Sequence, residues 1–324
     1  MATLAIDIGG ANTKAARLDG TTLRTVSRPF EVWRDREALT AVLREVAAEA
    51  GDADAVAITM TAELSDAFRT KREGVAFVLD AAEAALGDPP LSVLTTAGEL
   101  VPLGEARARP WDVAAANWTA TALAVADDHA DALLIDVGST TADVIPIAGG
   151  RVAATGRNDL ERLLAGELVY TGALRTNLAA IAPRVPVRGD WCPVASESFA
   201  ISADVHVVLG HLAPEAYDCP TPDGRPATVE FARERIARLV CSDSDQLDAG
   251  EIEAIAGFLL GEQVRALEEA ARRVALSPDA PVVAVGTGAF LARETGARLG
   301  RQVVDRRDLG PAAALATLLA ARLC

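Results

Sequence analysis

Two stretches of the chain place an acid, glycine and short polar side chains at the end of an apolar run. In "LAIDIGGANTKAARLDG" (residues 4–20), Asp7 is followed by Gly9, Gly10, Asn12, Thr13 and Lys14. In "LLIDVGSTTADVIPIAG" (residues 133–149), Asp136 is followed by Gly138, Ser139, Thr140, Thr141 and Asp143. The stretches align at an offset of 129, with Asp7 on Asp136, Gly9 on Gly138 and Gly20 on Gly149. Glycine permits the backbone conformations and close approach that let successive N–H groups converge on phosphate oxygens. The neighbouring hydroxyls and the Asn12 amide add donors. Asp7 and Asp136, as hard oxygen ligands at strand ends, are expected to face each other across a cleft and hold Mg²⁺.

A third glycine turn follows the β-branched run Val282–Val285, where Gly286-Thr287-Gly288 leads into a helix. A strand, turn and helix in this order can cradle a nucleotide or other phosphate at the helix N-terminus. Lysine usage adds to the pattern: Lys14 and Lys71 are the chain's two lysines among 31 basic residues. An ammonium is a compact point charge suited to a tight phosphate turn, whereas guanidinium is a broad planar fork. Lys14 lies in the first hairpin, and Lys71 lies in "TMTAELSDAFRTKREGV" (59–75) with Glu63 and Asp66.

The elements that must position these residues alternate between strand and helix, which predicts a mixed α/β fold. Each repeat reads as a strand, a glycine turn, a returning strand and a second turn into a third strand. Between the repeats we expect helices near Arg36–Ala50, Gly74–Leu86 and Val113–Ala126, and strands at Ala53–Thr59 and Leu91–Thr95. Beyond them come helices near Thr228–Val240 and Asp248–Leu276, and "LGPAAALATLLAARL" as a final helix on the first lobe. The expected lobes are 1–130 with 305–324 returning to it, and 131–304 with an Arg-rich insertion around 157–245.

Composition narrows the partners. The 324 residues carry a net charge of −15, which opposes nucleic-acid binding because that affinity comes largely from neutralising phosphates. Arg151 to Arg188 is a local exception, with six arginines against three acids, read either as an anion site or as a solvated face. No run of about 18 apolar residues is present to span a bilayer, and no basic-then-apolar leader opens the chain, so a cytoplasmic location without membrane partners is expected. The four cysteines lack C-x-x-C spacing and read as reduced thiols. His206, His211 and Cys219 lack the i, i+4 spacing that would put two ligands on one helical face.

The duplicated hairpins with a late glycine turn resemble the actin, sugar kinase and Hsp70 superfamily, which implies a two-lobed, ribonuclease H-like fold closing on a nucleotide. A more detailed likeness rests on "IDIGGANTK" (6–14), "TMTAELSDAFRTKREGV" (59–75), "AANWTATA" (115–122), "LIDVGSTTADVIPI" (134–147), "ELVYTGALRTN" (167–177) and "VASESFAISADVHVVLG" (194–210). As a set these resemble the hydantoinase/oxoprolinase-related proteins of tetrahydromethanopterin-linked C1 transfer. The resemblance implies methanofuran or methylofuran biosynthesis, in which the phenol of γ-glutamyltyramine, or a tyrosine analogue, joins an aminomethylfuran methyl diphosphate to give an aryl ether and pyrophosphate. Both hairpins and Mg²⁺ would then hold the diphosphate, and ATP would not be required. Asp143, Glu63 or a neutral Lys71 would take the phenolic proton. Tyr170, Arg175 and Asn177 would contact the amine or glutamyl end. The fold also accommodates an ATP-dependent kinase or oxoprolinase-like hydrolase, with Gly286 and Gly288 lining an adenine site, or a nucleotide-dependent sensor or assembly factor.

Overall fold

The computed structural model describes residues 1–274, 277 and 279–323. The chain starts with three antiparallel strands, β1 (Ala2–Ile8), β2 (Asn12–Asp19) and β3 (Thr22–Pro29). Helix α1 (Leu39–Ala50), β4 (Ala55–Met60), α2 (Lys71–Leu86), β5 (Leu91–Leu94) and β6 (Leu100–Pro102) follow. Three more helices, α3 (Leu103–Ala108), α4 (Pro110–Val113) and α5 (Asn117–Asp128), precede the second hairpin. The sheet order is β3-β2-β1-β4-β5-β6, with β1, β4 and β5 mutually parallel. Strand β1 is buried along its whole length because it is central and covered, so it reads as an unbroken apolar run rather than an alternating one.

The second hairpin is β7 (Ala132–Val137) and β8 (Ala142–Ala148), with the short β9 (Arg151–Val152) pairing back on β8. Then come α6 (Asp159–Ala165), β10 (Leu168–Val169), α7 (Leu178–Ile181), a ribbon of β11 (Arg184–Val187) and β12 (Asp190–Pro193), and α8 (Ser202–Val208). Helices α9 (Val229–Arg238) and α10 (Ala249–Arg273) lead to β13 (Val282–Val285), α11 (Ala289–Arg298), β14 (Val303–Asp305) and α12 (Pro311–Leu323). The second large sheet has the order β10-β8-β7-β13-β14.

The chain forms two compact units, residues 1–131, 147–164 and 308–324 in one, 132–146 and 165–307 in the other. Segment 147–164 therefore groups with the first unit, beyond the boundary read near 130. In the first unit Ile6 and Ile58 of the sheet meet Leu43 of α1 and Leu79 of α2 in a core. The second has a sheet core around Leu133, Val264 and Val282, and a helical core around Val205, Ile236 and Ile255. Helix α12 packs on α5 and β1 of the first unit, and Thr3 Oγ1 donates to the Ala316 carbonyl at 3.1 Å.

Helix ends follow local chemistry. Asp248 and Glu251 form a reciprocal capping box at the start of α10, each side chain accepting the other's backbone N–H at 2.9 Å. The expected end of that helix, Leu276, lies outside the described residues. Helix α2 begins at Lys71 rather than Gly74, because the Thr70 hydroxyl accepts from Glu73 N at 3.2 Å and caps the first turn. Helix α5 begins at Asn117 rather than Val113, because Ala115 adopts a left-handed φ of 50° and interrupts the pattern.

Candidate active site

The repeat is present in the backbone as well as in the residues. Gly9 N donates to Asn12 O at 3.0 Å, and its equivalent Gly138 N donates to Thr141 O at 2.9 Å. A side chain at Gly9 would put Cβ 2.5 Å from the Asn12 carbonyl oxygen, against 3.4 Å for Gly138 and Thr141, so the first turn requires glycine more strictly.

Each turn is gripped from its carbonyl side. In the first unit the Gly10 and Ala11 carbonyls accept from Val32 N and Phe30 N at 2.9 and 3.0 Å. In the second, the Gly138 carbonyl accepts from Ala173 N, and the Ser139 carbonyl from Leu174 N and Arg175 N, at 2.9 to 3.0 Å. In a trans peptide the C=O and the following N–H point in opposite directions. Holding these carbonyls therefore turns the N–H groups of Ala11, Asn12, Ser139 and Thr140 to the other side, where an anion nest needs them.

In the first unit Asp7 stands opposite Lys14 across β1 and β2 and level with Thr59 of β4. Directly paired antiparallel residues leave a sheet on the same face, so Lys14 and Asp7 share one. Lys14 is exposed and Asp7 nearly buried. Asn12 Oδ1 and the Thr13 and Thr59 hydroxyls are buried without hydrogen-bond partners among the described residues.

Glu63 follows β4 in a single 3₁₀ turn, Ala62–Leu64, and is 1% exposed. No hydrogen bond of proper geometry reaches either carboxyl oxygen among the described residues. Burial pushes its pKa up from 4.5 to about 7. The backbone N–H groups of Glu63 and Ala115, and the charge of Lys71, oppose that rise, while the charge of Asp159 adds to it. Lys71 itself donates to Asp159 Oδ2 at 2.5 Å. In that ion pair each side chain is about a fifth exposed. Asp159 had no local signal, since it lies 88 residues from its partner. Trp118, at the start of α5, is also buried, with the Arg162 guanidinium 4.3 Å over its ring.

In the second unit Asp136 is nearly buried at the end of β7, and Asp143, the counterpart of Lys14, is half-buried on β8 opposite Leu168. Gly286 and Gly288 pack onto the same strand end. A Cβ at Gly286 would meet Asp136 Oδ1 at 2.4 Å, and Gly288 N donates to Val137 O at 2.8 Å. Their smallness is thus accounted for by packing that fixes Asp136. Tyr170 is 63% exposed. Arg175 is half-buried beside the turn, and the Asn177 side chain caps α7 by accepting from Ala179 N at 3.0 Å.

Three arginines of the Arg151–Arg188 segment are engaged one by one. Arg162 lies on Trp118, Arg184 on Trp191 at 4.8 Å, and Arg188 binds Glu251 at 2.7 Å. Cys192, Cys219 and Cys241 are thiols. No described residues form a cluster of three or more metal-ligating side chains. Mg²⁺ keeps several waters and takes only one or two carboxylates together with substrate phosphates, so a single strand-end carboxylate, Asp7 in the first unit or Asp136 in the second, fits it. No described helix is long and apolar enough to cross a membrane.

Two units with duplicated hairpins on mixed sheets define an actin, sugar kinase and Hsp70-type fold. Two solved structures are similar in fold: ethanolamine utilization protein EutJ from Carboxydothermus hydrogenoformans, with a TM-score of 0.50 and 15% identity over 98% of this chain and 90% of that one, and a nucleotide-free acetone carboxylase, with a TM-score of 0.57 and 12% identity over 98% and 70%. Residues 54–323 match the hydantoinase/oxoprolinase family, and the chain belongs to it. It is 37% identical over 267 residues, 82% of this chain and 79% of the other, to the (4-{4-[2-(gamma-L-glutamylamino)ethyl]phenoxymethyl}furan-2-yl)methanamine synthase of Methanocaldococcus jannaschii. A protein of the same name from Methanococcus vannielii is 43% identical over 119 residues, 37% of this chain and 53% of that protein.

Proposed function

We propose that this chain is an aryl-ether synthase of methanofuran-type cofactor biosynthesis, a transferase with a diphosphate leaving group. The observation that carries the reading is the 37% identity across 82% of the chain to a synthase whose product is a phenoxymethylfuran amine. Such a product requires a new bond between a phenol oxygen and a furan methyl carbon. The bond from that carbon to a diphosphate oxygen breaks, its electron pair leaves with pyrophosphate, and the phenolic proton passes to a base.

Glu63 suits the base. No side chain hydrogen-bonds its carboxyl among the described residues, and its pKa of about 7 places it where a general base is most effective near neutral pH. In the first unit the N–H groups of Ala11 and Asn12 with Lys14, and in the second those of Ser139 and Thr140 with the Thr141 hydroxyl, each form an anion grip of the kind that would hold a departing diphosphate, whose growing charge such preorganised donors stabilise. Asp7 in the first unit and Asp136 in the second are each a hard carboxylate that would hold Mg²⁺, which would supply further positive charge to the diphosphate oxygens. Tyr170 and Arg175, beside the second turn, would bind the phenolic substrate's polar end.

The test is mass spectrometry of purified protein with aminomethylfuran methyl diphosphate, γ-glutamyltyramine or its tyrosine analogue, and Mg²⁺, without ATP. An ether product with one pyrophosphate per turnover is expected. No ether with either phenol, together with ATP turnover on another metabolite, would replace this reading with a kinase or hydrolase.

A further inference from the structure

Gln263 is a buried amide in α10, 1% exposed, far along the chain from either hairpin. Its Nε2 donates to Thr171 Oγ1 at 2.8 Å and to the Gly172 carbonyl at 3.0 Å. A carbonyl oxygen only accepts, so the nitrogen side of the amide has to face Gly172.

Thr171 and Gly172 open the loop that grips the second turn. Gly172 lies against that turn without slack: a Cβ there would be 2.5 Å from Thr140 N and 2.6 Å from the Ser139 carbonyl carbon. The next three residues donate their N–H groups to the Gly138 and Ser139 carbonyls. A shift at Gly172 therefore moves Ser139 and Thr140, because packed backbone transmits displacement.

The far side of the amide is closed. Its Oε1 and both ring nitrogens of His206 are buried with no hydrogen bond of proper geometry among the described residues. The His206 ring packs edge-on against Phe290 at 4.7 Å, which in turn stacks on His211 at 5.1 Å. Burial, with the charge of His211, holds His206 down at about 3 against an opposing interaction with the Gln263 side chain, so an uncharged ring backs Gln263 at any physiological pH.

We propose that Gln263 is a positioning residue: from α10 it locks Thr171 and Gly172, and through them the N–H groups of Ser139 and Thr140, so the second turn's grip on a diphosphate depends on a side chain that never touches it. This rests on reading that turn as part of the diphosphate site.

The experiment compares full-length wild type with Gln263→Leu, which keeps side-chain bulk and removes both donors, and with Thr171→Val, which removes one acceptor. Three readouts are taken: hydrogen exchange of the Ala173–Arg175 amides without ligand, affinity for pyrophosphate with Mg²⁺ by calorimetry, and KM for each substrate. In Gln263→Leu, exchange and pyrophosphate Kd rise about tenfold, the worth of roughly one hydrogen bond, and KM rises for the diphosphate while KM for the phenol stays within about twofold. Thr171→Val moves in the same direction by less, and carries the test alone where Gln263→Leu does not fold. Exchange and Kd within twofold of wild type in the folded variants would overturn the proposal. A wild type that binds no pyrophosphate sinks the diphosphate reading instead, while the exchange arm still decides whether Gln263 holds the loop.

Discussion

Glu63 in the first unit and Asp204 in the second are both carboxyls taken out of water, and burial raises the pKa of each. Their surroundings differ. Asp204 Oδ1 accepts from Arg235 Nε at 2.8 Å and from the Tyr217 hydroxyl at 3.2 Å, while Oδ2 accepts from Ile201 N at 3.0 Å. Arg235, itself fully buried, reaches on to Asp223 at 3.1 Å. Asp204 is thus a completed knot joining α8, α9 and the loop between them. Glu63 is less complete: the backbone N–H groups of Glu63 and Ala115 act on its carboxyl, yet no hydrogen bond of proper geometry reaches its oxygens among the described residues. A buried carboxyl with few partners costs stability, and a strongly raised pKa at the end of a central strand is what makes Glu63 the base to test.

The contrast predicts opposite phenotypes. Glu63→Gln should lower ether formation by roughly 10² to 10⁴, the usual worth of a general base, with no loss of thermal stability. A variant that keeps wild-type turnover would remove Glu63 from the mechanism. Arg235→Leu leaves Asp204 buried and uncompensated, and should cost about 3 to 5 kcal/mol in urea unfolding, with KM for both substrates unchanged in the protein that remains folded. A loss under about 1 kcal/mol would mean that water or rearrangement satisfies Asp204.

How each group could be seen beforehand also differs. The hairpins were legible because their chemistry is local: Gly9 and Asn12, or Gly138 and Thr141, lie three residues apart and close the same bond twice. Glu63 could be nominated from its stretch, but its burial depends on α2, whose Gly74 packs against its backbone. The Lys71–Asp159 pair is longer-range still. The clasp of the second turn by Gly172 was hidden for another reason: a glycine needed for close approach to another segment looks, in sequence, like any loop glycine. Asn177 shows the converse, a residue singled out for ligand contact whose side chain caps a helix.

A smaller effect sharpens the comparison through pH. Burial raises Glu63 from 4.5 to about 7, so the folded state holds its proton more tightly than the unfolded chain does. The stability associated with that proton is fully present below about 4.5 and is lost as pH rises through 7, by at most about 3 kcal/mol. Glu63→Gln, which stays uncharged, should therefore gain on wild type by up to that amount between pH 4.5 and 7.5 in urea titrations. A constant difference across that range would mean that burial does not raise Glu63.

The smallest effect concerns the two charges that act on Glu63 from α2 and α6. Lys71 lowers its pKa and Asp159 raises it, and the two are bonded to each other, so at a distance their fields largely cancel. Lys71→Met should move the midpoint of the rate-against-pH curve upward and Asp159→Asn should move it downward, each by about one pH unit or less at the effective dielectric of a partly wet site. The double variant should return close to wild type. That return separates a field acting on Glu63 from damage to the fold, because two structural lesions would add rather than cancel. If both single variants shift the midpoint the same way, or neither shifts it, the titrating group is not Glu63, and Asp143 becomes the base to test.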